Sequence, residues 1–152
     1  TLLGDERLMV SRVAENKRIL ARVRRLLKDI GLEDPALAAK AAQIEIRLTA
    51  LEATALRLLS TFDGGGKVGA EPSMLKLQGS QLVQVQDQLL FEIAGLYGLP
   101  LDAESRQTPN LPIYHDTVDM IGSALFHHRG YTIAGGASEV QRNIIAQQVL
   151  GL

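Results

Sequence analysis

Residues 34–62 read DPALAAKAAQIEIRLTALEATALRLLSTF, and the spacing of their apolar side chains decides the fold. Ile44, Leu48, Leu51, Ala55 and Leu58 recur at steps of three and four, the period of a helix with one buried face. After Pro35 neither glycine nor proline interrupts the run. Asp34-Pro35 reads as an N-cap followed by proline at the first helical position, where the missing amide is not needed. Gly64-Gly65-Gly66 and Gly69 then break the pattern as a flexible loop.

The flanking segments repeat the same logic. Before Asp34, a helix is expected from about Asp5 to Ile30. Leu20, Val23, Leu27 and Ile30 form its stripe, and Met9 and Val13 continue it backwards. Asp5 can cap its start and Gly31 can end it in a left-handed conformation. Beyond the glycine loop, Pro72 restarts a helix through about Tyr97, with Leu82, Val85, Leu89, Ile93 and Leu96 on the buried face. Gly98 and Pro100 stop it. After a looser stretch with Pro109 and Pro112, a shorter helix is expected from about Ile113 to His128, carrying Tyr114, Val118, Ile121 and Leu125. Gly130 to Ala137 form a second break, and a last helix begins near Ser138 with Val140, Ile144, Ile145 and Val149. Three helices of ~25 residues, each ~37 Å long, and a shorter fourth predict an all-α fold. Its expected form is an antiparallel, up-down four-helix bundle, with the final helix as an appendage outside it. There is no strand-like alternation and no internal repeat.

Composition narrows the function. At 152 residues the chain fits one domain, and 46% of it is hydrophobic but only 4% aromatic, so aliphatic side chains must build the core. A net charge of −1 argues against a domain whose main task is neutralising nucleic-acid phosphates. With no cysteine, disulfides, thiol nucleophiles and thiolate metal sites are excluded. No apolar run approaches the ~18 residues needed to span a bilayer, and the first residues do not read as a charged-apolar-small signal-peptide pattern. Starting at Thr1 without Met, the chain is expected to be a fragment or processed product.

Several motifs have bland readings. Gly64-Gly65-Gly66-Lys67 is not a phosphate loop, because Val68 follows the lysine and no strand precedes it. His115, His127 and His128 lack metal-ligand spacing and read as surface or satisfied histidines. Lys17, Arg18, Arg22, Arg24, Arg25 and Lys28 complement the helix dipole and solvate an outer face, with contact to an anionic partner as the other reading. The informative stretch is the tail, Gly135-Gly136-Ala137-Ser138-Glu139-Val140-Gln141-Arg142-Asn143-Ile144-Ile145-Ala146. Two glycines let the backbone approach something closely. Ser138 and Gln141 are expected to form a capping box at a helix head, which attracts anionic groups such as phosphates; by spacing alone the stretch also reads as a plain helix start.

That tail, GGASEVQRNIIAQQVLGL, closely resembles the C-terminal signature of acyl-CoA dehydrogenases, where a Gly-Gly-Thr-Ser-Glu-Ile-Gln-Arg-Asn-like run opens the last helix. The preceding helix order also fits that family's C-terminal bundle, so residues 1–152 are expected to be this domain, without the family's N-terminal helical and middle β-domains. The resemblance implies FAD as cofactor and an acyl-CoA as substrate. It also implies an electron-transfer flavoprotein as electron acceptor, a homo- or hetero-oligomer, and a cytoplasmic location (the mitochondrial matrix in a eukaryote). The family's usual catalytic glutamate directly precedes the glycine of the tail motif, a position held here by Gly135. A smaller set, resembling isovaleryl-CoA and long-chain enzymes, places the base in a Leu-x-x-Glu-Arg context. Leu3-Gly4-Asp5-Glu6-Arg7 matches it, which implies Glu6 as catalytic base and Arg7 as a substrate-binding residue. By the same resemblance Gly136 contacts substrate, while Ala137, Ser138, Glu139 and Gln43 contact FAD. No residue is expected to bind a metal.

Two motifs of the family are absent. Leu32-Glu33-Asp34-Pro35-Ala36 stands where an Arg-x-Ser/Thr-Phe-Gly turn usually grips a neighbouring subunit's flavin. The usual Gln-x-x-Gly-Gly-x-Gly run before the last break is also missing. The pattern resembles divergent branches in which two unlike subunits share one site. A non-catalytic partner subunit, or a bundle used only for assembly, are the alternative expectations.

Overall fold

The computed structural model describes residues 11–31, 33–65, 69–99, 118 and 120–152, and every regular element among them is helical. Helix α1 spans Val13–Ile30, α2 Pro35–Asp63 and α3 Glu71–Ala94. A 3₁₀ turn, Gly95–Gly98, closes α3; α4 is Ile121–His127 and runs into a 3₁₀ turn, His128–Thr132. Helix α5, Ser138–Ile145, continues as a π-wound turn, Ala146–Leu150.

The expected all-α fold is observed, and α2 matches its sequence reading in detail. Asp34 Oδ1 accepts from the Ala36 amide at 2.7 Å, with Pro35 in the first turn. Ile44, Leu48, Leu51, Ala55 and Leu58 are all buried, each leucine or isoleucine removing roughly 1.5–3 kcal/mol worth of apolar surface from water. Gly31 ends α1 in the left-handed region at φ 62°.

Helix α3 is the hub, touching α1, α2, α4 and α5. Between α1 and α2, Lys17 pairs with Glu52 and Arg24 with Glu45, so sequence number rises along one helix as it falls along the other. That is the signature of an antiparallel pair. The basic outer face of α1 is thus partly matched by acids of α2.

Three expectations need correction. The first helix is not continuous from Asp5 through Ile30: Arg12 turns left-handed (φ 52°) and α1 starts after it, while Asp5 and Met9 lie outside the described residues. Leu26, not Leu27, is the fully buried neighbour of Val23, since a 3.6-residue period leaves Leu27 at the edge of the stripe. Leu96 is 81% exposed because Gly95 ends α3 one residue earlier and rotates the chain away from the core. The last helix, expected outside the bundle, lies against α3. Of the expected 113–128 helix the structure gives α4, which begins after a left-handed Met120. Val118 and Ile121 are buried as expected, and Tyr114 lies outside the described residues.

Candidate functional site

The tail reaches α5 through a tight turn. Gly135 and Gly136 have φ of 72° and 104°, conformations that side-chain-bearing residues rarely adopt. A Cβ on Gly136 would also overlap the side-chain nitrogen of Gln141. The Gly136 amide donates to the Ile133 carbonyl at 3.1 Å, and the Ala137 carbonyl accepts from the Gln141 amide at 3.0 Å, opening α5.

The capping box does not form. Ala137 is the N-cap, and Ser138 lies one residue inside the helix. The Ser138 hydroxyl, buried, donates instead to the Thr132 carbonyl at 3.2 Å, tying the head of α5 to the preceding 3₁₀ turn. The Gln141 side chain turns back toward the Gly135 carbonyl at 3.5 Å. Glu139 is exposed and pairs with Arg142 at 3.5 Å.

The turn is braced by a polar row on α3 that sequence reading missed. Lys76, only 5% exposed, donates from Nζ to the Gly136 carbonyl at 2.5 Å. Burial, then the nearby Arg12 charge, push its pKa down, against an opposing pull from Glu139. The stability consequence has a fixed sign. The native state sheds this proton at lower pH than the unfolded chain, so the cost of burying the ammonium is relieved as pH rises between the two values.

Three further helical turns along α3, Asp87 (2% exposed) meets His128 Nδ1 at 2.6 Å, making His128 the satisfied histidine its spacing suggested. Gln84 donates to the His128 carbonyl at 3.0 Å. Tyr131 donates to Glu15 at 3.2 Å, and its ring lies 3.5 Å from the Arg12 guanidinium. Arg12 in turn pairs with Glu15 at 2.7 Å. Burial, then Glu15, raise the Tyr131 pKa, so its hydroxyl stays a proton donor to Glu15. Beneath this, Asn16 and Gln86 are fully buried. Gln86 Nε2 donates to Asn16 Oδ1 at 2.5 Å, and Asn16 Nδ2 donates to the carbonyls of Arg12 (2.9 Å) and Gly79 (3.2 Å). The start of α1, the polar face of α3 and the tail turn thus form one hydrogen-bonded joint.

Of the sequence-derived candidates, Gly136, Ala137, Ser138 and Glu139 are adjacent in this turn, whereas Glu6 and Arg7 lie outside the described residues. Gln43 is elsewhere. It is exposed on α2 in a groove with Gln88 and Leu89 of α3, twelve residues or more beyond Lys76 and so roughly 18 Å along the helix axis. Another open groove, of about 510 Å³, lies between the start of α1 and Glu52, Ala55 and Leu56 of α2, with no tail residue among those lining it. No cluster of metal-ligand type occurs among the described residues, nor any helix long and apolar enough to cross a membrane.

A family model described as the acyl-CoA dehydrogenase C-terminal domain matches residues 3–150. No curated protein matches the chain. Among solved structures, one described as the Tcur3481-Tcur3483 steroid ACAD is similar over 100% of this chain and 38% of its own, at 21% identity and TM-score 0.80. Its G363A variant gives 22% identity and TM-score 0.78, over 99% of this chain and 38% of its own. The ChsE4-ChsE5 complex from Mycobacterium tuberculosis is similar over 92% of this chain and 36% of its own, at 23% identity and TM-score 0.68. At these identities the likeness is one of fold. The chain spans less than two-fifths of the length of each of these structures.

Proposed function

Because the chain belongs to the acyl-CoA dehydrogenase family, as its C-terminal helical domain, we propose that it serves within a longer FAD-dependent enzyme that removes two hydrogens across the α,β-bond of an acyl-CoA. In this reading the upstream part supplies the N-terminal helical and middle β-domains. The observation that carries it is the Gly135–Ser138 turn: two positive-φ glycines, both exposed, at the head of a helix braced on α3. A backbone without side chains fits the close approach of a flat ring system or a thioester, and the helix start favours anionic groups.

Bound FAD would accept the β-hydrogen as hydride. The chain's own residues hold the rest of the chemistry. Glu6 removes the α-proton, and the side-chain-free Gly135 leaves room for a carboxylate arriving from elsewhere. Arg7 and Gly136 contact the acyl-CoA, while Ala137, Ser138 and Glu139 line the flavin. Ser138 does so through its main chain, since its hydroxyl is committed to Thr132. Gln43, ~18 Å along α3 from the turn, suits contact with a flavin in a neighbouring subunit. Electrons then leave to an electron-transfer flavoprotein.

A second reading has specific support: glycine replaces the usual base at position 135, and the similar solved structures carry two-component names. Here the chain belongs to a partner subunit that has given up catalysis within a mixed oligomer. The full-length protein, purified alone and with its neighbouring subunit, should carry flavin whose visible band bleaches anaerobically on adding a saturated acyl-CoA. Linear and steroid-bearing acyl groups make the substrate comparison. Bleaching only in the two-subunit preparation would favour the partner reading, and a colourless protein that takes up no FAD would leave a bundle used for assembly.

A further inference from the structure

We propose that Lys76 is a positioning residue: its ammonium holds the Gly136 carbonyl and thereby fixes the peptide plane that aims the Ala137 amide away from α3, toward the ligand side of the turn. The Gly136–Ala137 bond is trans, since no cis peptide occurs among the described residues, so its C=O and N–H point in opposite directions. With the carbonyl held at 2.5 Å by Lys76, the amide has one direction left. Gln141 closes the opposite side of Gly136, where any Cβ would overlap its side chain. The turn is clamped from both flanks.

Stability does not account for Lys76. Its head group is buried against a backbone carbonyl rather than a carboxylate, and burial disfavours its charge. Replacing such a buried ion by an apolar side chain of similar volume is commonly neutral or stabilising. Methionine is close to lysine in length and volume but carries no donor for the Gly136 carbonyl. The lysine therefore exchanges stability for a defined peptide orientation, which is useful where backbone amides contact a ligand.

This inference rests on the acyl-CoA dehydrogenase reading for its functional consequence but not for its structural one, and the test separates the two. In the full-length protein, with its neighbouring subunit where required, Lys76→Met and Lys76→Arg are compared with wild type by three measurements. Lys76→Met should speed amide hydrogen exchange across residues 133–140 by about tenfold or more while exchange in α2 and the melting temperature hold. FAD retention should weaken, and kcat fall by about 10–100-fold with KM changed much less. Lys76→Arg, which keeps a charged donor, should restore slow exchange and part of kcat. Unchanged exchange in the turn would overturn the proposal, as would a loss of stability spread equally over α2 and the turn. If wild type itself neither binds FAD nor oxidises an acyl-CoA, the functional reading fails while the exchange measurement still decides the role of Lys76.

Discussion

Glu6→Gln in the full-length protein is expected to slow reduction of its flavin by a saturated acyl-CoA by about 10²–10⁴-fold, the usual contribution of a positioned general base. Glutamine keeps the shape and the hydrogen-bonding atoms but cannot take the α-proton. Binding of acyl-CoA should therefore survive while the chemical step is lost, so KM stays near its wild-type value as kcat collapses. Position 135 sharpens the test. A Cβ built on Gly135 meets nothing within 4 Å, so a carboxylate could be introduced there at the cost of a left-handed non-glycine residue, roughly 1–2 kcal/mol. Glu6→Gln with Gly135→Glu should regain part of the lost rate. Single-turnover flavin reduction that is normal in Glu6→Gln would move the base to another subunit and favour the partner reading.

The second large effect is structural. Gly79→Ala is expected to destabilise the protein by about 3 kcal/mol, measured as a shift in the denaturant midpoint. A Cβ on Gly79 would overlap the Ser11 carbonyl oxygen and approach the Ser11 carbonyl carbon to 2.8 Å. The obstacle is backbone, which cannot rotate aside as a side-chain tip can. Relief requires the start of α1 to lift from α3. That motion pulls on Asn16, whose side chain bridges the Gly79 and Arg12 carbonyls, and on Gln86 behind it. Each buried bond lost or left half-made adds about 1 kcal/mol or more. A midpoint shift worth less than about 1 kcal/mol would mean that Ser11 does not rest on Gly79 in solution.

Much of the fold is legible in the sequence because apolar periodicity reports burial directly. The α2 stripe is the clear case, with Ile44, Leu48, Leu51, Ala55 and Leu58 all buried and Asp34-Pro35 starting the helix as its chemistry requires. The joint beside the turn is less legible because its residues are polar. Lys76, Ser80 and Asp87 lie on a buried face of α3, spaced by four and seven. A period search that counts only apolar side chains assigns such residues to solvent. The available signal was their alternation with Val83 and Leu90, which continue the same stripe. The Ser138–Gln141 spacing misled for a related reason. A capping box is a statement about which residue opens the helix, and the Gly135–Gly136 turn moved that boundary to Ala137. The tail itself was legible as a family signature, and the structure gathers Gly136, Ala137, Ser138 and Glu139 in one turn while leaving Gln43 on another face.

The Gly-Gly turn and the head of α5 are expected to rest against a flavin held by the rest of the enzyme. A crystal structure of the intact polypeptide with FAD, and with its neighbouring subunit if one is needed, measures this directly. Main-chain atoms of residues 135–138 are expected within about 4 Å of the flavin nucleotide or the acyl-CoA. Finding that turn open to bulk water, with both ligands bound elsewhere, would contradict it.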